Sequence, residues 1–234
     1  NRMQSEHIDR ESSTSGEHVL IVIGGNSPSP VALRAIEPPD RIVCADSGLD
    51  HALALGLRPD ALIGDMDSIS GGGRAWAEAS NVEIIATTPD KDETDTELAL
   101  RWAIERQASH VTILWGGGDR FDHVLGVMAA VASPNLSVVS ELRLWIAEDE
   151  AIILHGPRSI EMSPTSGSTI SLIPLSGDAL EITTKGLRWN LTHETLMGGS
   201  ARGVSNVVEG PVSISIAHGV LAVIRPAHSE ETHT

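Results

Sequence analysis

Aspartates recur in four short polar segments, each directly behind an apolar run. Cys44–Ala45 leads into Asp46-Ser47-Gly48, and Leu62–Ile63 into Gly64-Asp65-Met66-Asp67-Ser68. Val82–Ala86 leads into a segment carrying Lys91, Asp92, Thr94 and Asp95, and Val111–Trp115 into Gly116–His123, with Asp119, Arg120 and Asp122. If the runs are parallel strands of one open sheet, their carboxyl ends share an edge, and ligands of such sheets bind in the crevice there. Asp46, Asp65, Asp67, Asp92, Asp95, Asp119 and Asp122 should then converge. So many like charges on one rim are costly unless cations bind them. Mg2+ is the expected cation, because it is hard and usually held by one or two carboxylates plus substrate phosphates.

Each segment alone has a plain structural reading. Turn aspartates are common, and Asp65 and Asp67, two apart, face the same way if the segment is extended. Thr94 with Glu97 is a capping box, and Asp95 in the first helical turn suits the helix dipole. A capped helix start still presents N–H groups to a phosphate. Gly116, Gly117 and Gly118 could form a simple strand-to-helix turn, yet glycines followed by Arg120 also let backbone approach a polyphosphate that a guanidinium holds. Lys91 is a candidate phosphate contact and His123 a candidate base. Neither a P-loop nor a dinucleotide-binding glycine fingerprint is present, and no G-x-S-x-G elbow marks a nucleophilic serine. Cys44 sits inside an apolar run and reads as inert core.

The elements that must position these residues alternate. Strand-like runs at Val19–Ile23, Arg41–Ala45, Ala61–Ile63, Val82–Ala86 and Val111–Trp115 are separated by helical patterns near Val31–Ile36, Asp50–Leu55, Gly73–Glu78, Asp95–Gln107 and His123–Ala132. This alternation predicts a mostly parallel α/β sheet with helices on both faces, with a further edge strand at Leu136–Val139. From about Ala147 on, short strand-like runs at Leu144–Ala147, Ala151–Leu154, Ser168–Pro174, Ala179–Thr183, Val212–Ile216 and Val220–Ile224, separated by Gly, Ser and Pro turns, predict a small all-β sandwich or barrel. The expected division is a disordered leader at 1–17, an α/β domain at 18–147, a β-rich domain at 148–227 and a tail at 228–234.

Composition bounds the rest. The chain has 234 residues, 41% hydrophobic, enough for a real core. Sixteen basic against 32 acidic residues give a net charge of −16, which repels nucleic acid and suits divalent cations or a cationic small molecule. No apolar run approaches a membrane span, and Asn1–Glu17 lacks the apolar core of a secretory signal. One cysteine excludes an intramolecular disulfide framework. Together these features predict a cytoplasmic protein.

In the β-rich half, KGLRWNL (185–191) and SN (205–206) stand out, since the chain has no Tyr and one Phe. Trp189 is one of few aromatics able to stack on a planar ring, and a core position is the alternative. With ADSG (45–48), RPDALIGDMDS (58–68), DKDETDTELAL (90–100) and GGGDRFDH (116–123), these strings resemble the thiamine pyrophosphokinase family, in its order, from about Val19 to Pro226.

The resemblance implies an α/β catalytic domain followed by a β-rich thiamine-binding domain, paired in a homodimer whose sites lie between the catalytic domain of one subunit and the β domain of its mate. It implies Mg2+-dependent transfer of pyrophosphate from ATP to the thiamine hydroxyl, releasing AMP. Catalytic roles would fall on Asp46, Asp67, Asp95 and Arg120, and metal binding on Asp65, Asp67 and Asp95. ATP contacts would fall on Lys91, Asp92, Thr94, Gly117, Gly118, Arg120 and Asp122, and thiamine contacts on Trp189, Ser205 and Asn206. Three positions depart from the family pattern: Ser47 and Asp119 replace glycines, and Gly126 replaces an asparagine. Two alternatives are a pyrophosphokinase for another hydroxymethyl heterocycle, such as a pterin, and a non-catalytic sensor of nucleotide or thiamine diphosphate.

Overall fold

The computed structural model describes residues 16–88, 92–118 and 120–227. Its first half alternates as β1 (His18–Val22), α1 (Pro30–Ala35), β2 (Arg41–Ala45), α2 (Gly48–Ala54), β3 (Ala61–Gly64), α3 (Gly71–Ala79), β4 (Glu83–Ala86), α4 (Asp95–Glu105), β5 (His110–Trp115) and α5 (Phe121–Val131). Local chemistry starts these helices. Ser29 caps α1 ahead of Pro30, and Ser70 caps α3 through the Gly73 N–H at 3.0 Å. Thr94 and Glu97 form the expected capping box on α4.

After a 3₁₀ turn at Pro134–Val138 come β6 (Glu141–Ile146), β7 (Asp149–His155), β8 (Arg158–Met162), β9 (Thr169–Leu187), β10 (Glu194–Leu196), β11 (Asn206–Ile216) and β12 (His218–Arg225). One sheet runs through the molecule in the order β4-β3-β2-β1-β5-β6-β7-β12-β9-β11-β8, with β10 beside β9. Strands β1 to β6 pair in parallel. The hand-over to antiparallel pairing occurs at β6 and β7, whose turn contains the expected boundary at 147/148. The fold is thus α/β with a mostly parallel sheet flanked by helices, followed by largely antiparallel strands.

Continuous apolar runs mark the central strands because helices cover both sheet faces. Leu20 and Ile21 are adjacent and both fully buried, Leu20 packing with Ala32, Leu49 and Ala77 of α1 to α3, and Ile21 with Leu98, Trp102 and Val131 of α4 and α5. Cys44 lies in the same buried layer as Leu20, where desolvation pushes its thiol pKa up and leaves it inert. A separate apolar cluster, including Ile170, Ile182, Leu187, Ile214 and Leu221, fills the β-rich half.

The structure corrects several expectations. The edge strand expected at Leu136–Val139 is the 3₁₀ turn: Pro134 begins it, and Leu136 and Val139 both sink into the core at a spacing of three. Runs expected as two strands, Ser168–Pro174 and Ala179–Thr183, are one strand, β9, in which Ser176 and Gly177 take φ of 54° and 121°. β8 and β10 carried no strand expectation. Glu17 belongs to the fold: its carbonyl accepts from Ser109 and His110 N–H. The rest of the expected leader lies outside the described residues save Gly16, and so does the expected tail at 228–234. Among the described residues no helix is long and apolar enough to cross a membrane.

Candidate active site

The carboxyl ends of β1, β2 and β5 and the first turns of α4 and α5 enclose a cavity of about 490 Å³. Asp46, Asp95 and Asp122 stand on its wall together with Thr94, Gly118 and His123. Two helices of 11 residues therefore aim their N-termini at one space. Their orphan N–H groups favour an anion, while the carboxylates beside them favour a cation. The combination suits a metal-bound polyphosphate.

Backbone geometry ties the carboxylates to the strand ends. Asp46 takes φ of 47° and its N–H donates to the Ile63 carbonyl at 2.9 Å, lacing the end of β2 to β3. The Gly64 carbonyl accepts from Thr87 N–H at 3.0 Å, lacing β3 to β4. Gly64 is glycine for two reasons: its φ is 152°, and a Cβ there would run into Asp46 Oδ1. Gly64→Ala is therefore expected to displace the Asp46 carboxylate and strain the backbone, at a cost of about 1–3 kcal/mol. Any turnover that uses this cavity should fall more steeply than stability, read as catalytic rate against the melting temperature; an unaltered rate would show that Asp46 tolerates displacement.

Asp95 is the first residue of α4, where the Thr87 hydroxyl donates to its Oδ1 at 3.3 Å. Thr94 spends its hydroxyl on the cap, accepting from Glu97 N–H and donating to Glu97 Oε2. Asp122 accepts a two-pronged contact from Arg120, at 3.2 Å from Nε and 2.5 Å from Nη2. The guanidinium holds the Asp122 carboxyl below its ordinary pKa, and the carboxylate raises that of Arg120.

The structure does not bring all the expected residues together. Asp65 and Asp67 do not line the cavity, and their segment is a turn instead of an extended stretch. Met66 takes φ of 66° and Asp67 N–H donates to Asp65 Oδ1 at 3.0 Å, so strand alternation does not set where the two carboxylates point. Arg74 anchors this turn on the Met66 carbonyl at 2.7 Å. Asp92 is exposed and off the wall, Gly117 lies behind it, and Arg120 reaches it only through Asp122. Lys91 and Asp119 lie outside the described residues. Among the described residues no three Asp, Glu, His or Cys side chains form a ready-made metal cage.

Trp189 is 59% exposed, which removes the core alternative. Its backbone is clamped at both ends by Asn206: Trp189 N–H donates to Asn206 Oδ1 at 3.1 Å, and Asn206 Nδ2 donates to the Trp189 carbonyl at 2.8 Å. Asn206 is buried, so its amide holds the tryptophan loop in place. Ser205, at φ 59°, is exposed beside it. None of the three lines the Asp46–Asp95 cavity.

Sequence reasoning missed the turn Gly24-Gly25-Asn26 behind β1, although it obeys the same rule of polar residues after an apolar strand. Gly24 and Gly25 line the cavity and Asn26 N–H donates to the Gly117 carbonyl at 2.8 Å. Ser47 also lines it, its hydroxyl standing where a Cβ on Gly24 would lie. Ser68, at the end of the Asp65–Asp67 turn, is a further wall residue.

Comparison with known proteins follows this division of the chain. Residues 33–142 match the family described as thiamin pyrophosphokinase, catalytic domain, and 157–221 match thiamin pyrophosphokinase, vitamin B1 binding domain. The thiamine pyrophosphokinase of Bacillus subtilis is 30% identical over 182 residues, covering 77% of this chain and 84% of that protein. The chain belongs to the thiamine pyrophosphokinase family. Thiamine pyrophosphokinase 1 of Oryza sativa subsp. japonica is 27% identical over 201 residues, 71% of either chain. The crystal structure of the Bacillus subtilis enzyme superposes with a TM-score of 0.77 at 27% identity, covering 89% of this chain and 98% of that one. That of thiamin pyrophosphokinase from Geobacillus thermodenitrificans gives 0.75 at 25% identity, covering 91% and 99%.

Proposed function

We propose that the protein transfers pyrophosphate from ATP to the hydroxyl of thiamine, giving thiamine diphosphate and AMP. The observation that carries this reading is the convergence of Asp46, Asp95, Asp122 and two helix N-termini on one cavity at the carboxyl edge of the parallel sheet. The family supports the thiamine substrate over a pterin, and a catalyst over a sensor. In the reaction the hydroxyl oxygen bonds to the β-phosphorus, the bond from that phosphorus to the α-bridging oxygen breaks, and the hydroxyl proton is released. Positioning and charge stabilisation dominate such transfers.

The wall residues fit Mg2+, since its donors here are hard carboxylate oxygens and one or two of them suffice when phosphates supply the rest. Bound there, Mg2+ would neutralise charge on the transferring phosphates. Asp46 and Asp95 would hold the metal from the wall, and Asp65 and Asp67, on the adjoining turn, would complete its carboxylate set. Gly118 and the first turns of α4 and α5 would face the polyphosphate, with Gly117 supporting the turn from behind; Thr94 caps α4, and Asp122 holds Arg120 at the start of α5. Arg120 has five N–H donors and lends two to Asp122, so its fork has capacity for a phosphate. Asp92 lies just ahead of α4, and Lys91 is assigned to the phosphates from its place in the sequence alone. EDTA is expected to abolish AMP release and excess Mg2+ to restore it; turnover that persists in the chelator would remove the metal from the reaction.

The thiamine side is assigned to Trp189, Ser205 and Asn206, the first as the stacking surface for a cationic flat ring. Because these residues lie off the nucleotide cavity of their own chain, we assign the complete site to a homodimer in which the β-rich half (148–227) of one subunit faces the α/β half (18–147) of the other. The exposed apolar residues Phe121, Leu125, Met197 and Val204 support such burial.

A further inference from the structure

We infer that His51 is a positioning residue for the nucleotide, fixing the glycine turn that forms one wall of the cavity. The inference rests on the cavity being the ATP site. Gly24 and Gly25 present backbone alone to that space, and Gly25 sits at φ 107°. Two successive glycines leave such a turn many conformations, so its shape depends on what grips it. Asn26 N–H donates to the Gly117 carbonyl at 2.8 Å, and His51 Nε2 lies 2.9 Å from the Gly25 carbonyl oxygen. A carbonyl only accepts, so Nε2 carries the hydrogen whether the ring is neutral or charged. The Gly25 carbonyl and the Asn26 N–H belong to one peptide unit. His51 and Gly117 therefore hold that unit at both ends, and its plane is set.

The direction of the adjoining Gly24–Gly25 backbone, which faces the ligand, is set with it. His51 reaches this place from α2, whose start also carries Ser47 on the cavity wall, so one helix positions two parts of the wall. His51 itself does not line the cavity and its other ring nitrogen faces Ser27 Oγ at 3.5 Å. It acts on the nucleotide only through the turn.

The test compares His51→Ala with His51→Gln, whose amide can donate to the same carbonyl. Calorimetric titration with Mg2+–ATP in the absence of thiamine should show affinity falling about five- to tenfold in the alanine variant, the span of one lost neutral hydrogen bond. In that variant the KM for ATP should rise in proportion, with the KM for thiamine and the melting temperature nearly unchanged, and the glutamine variant should bind ATP within about twofold of wild type. Unaltered ATP affinity in His51→Ala overturns the proposal, as does a glutamine variant that binds as weakly as the alanine one. Wild-type protein that binds no Mg2+–ATP would instead sink the reading of the cavity, and the role of His51 with it.

Discussion

Asp95→Asn is expected to lower turnover by about 10²–10³-fold, the loss typical of removing one group aimed at charge developing in the transition state. Asparagine keeps the shape and leaves the Thr94–Glu97 box intact, so α4 should still begin where it does. The change removes one negative charge from the cavity wall and the favourable charge at the helix start. The second effect costs only about 0.3–1 kcal/mol, a melting shift of about 1–4 °C for a chain of this size. A large kinetic defect on a small stability defect is the signature of a residue that works on the ligand. Near-normal turnover would strike Asp95 from the site. Asp67→Asn is informative beside it: Asp67 is exposed and off the wall, so a loss of equal size places it at the metal once nucleotide is bound.

The second large effect belongs to Trp189. Removing a buried tryptophan would destabilise by about 3–5 kcal/mol, but this ring is 59% exposed and its loop is held by its backbone, through Asn206. Trp189→Ala should therefore leave the melting temperature close to wild type while raising the KM for thiamine about tenfold, the value of a stacking or cation–π contact with a charged ring. ATP binding should be unchanged. Early melting with normal thiamine binding would make Trp189 structural. The same variant tests the shared site. In a two-fold dimer assayed at thiamine well below the wild-type KM, where Trp189→Ala alone keeps about a tenth of the rate, mixing it with Asp95→Asn should restore about a quarter of wild-type activity, since half of the dimers are hybrids with one intact site of two. No recovery on mixing would place both residues in one subunit's site.

The edge that carries the cavity was legible because a central parallel strand announces itself as a continuous apolar run and its carboxyl end as the polar residues behind it. That rule found Asp46, Asp95 and Asp122, and applied to Val19–Ile23 it would also have found Gly24 and Gly25. It overreached at Asp65 and Asp67, where φ of 66° at Met66 turns the chain and cancels the alternation that two-residue spacing suggests. The 3₁₀ turn at Pro134–Val138 read as a strand because a short apolar run has no period of its own; only burial of Leu136 decides it. The long bent β9 read as two strands because Gly177 and its neighbours carry turn chemistry, yet long-range pairing with β11 and β12 keeps one strand going. The exposure of Trp189 depends on Asn206, 17 residues away, and no local pattern encodes that contact.

The most direct measurement is the identity and stoichiometry of the products from ATP and thiamine with Mg2+, separated by chromatography. The expected result is AMP and thiamine diphosphate in equal amounts, with AMP release falling to background when thiamine is omitted. ADP with thiamine monophosphate, or AMP formed at the same rate without thiamine, would contradict pyrophosphate transfer to this substrate.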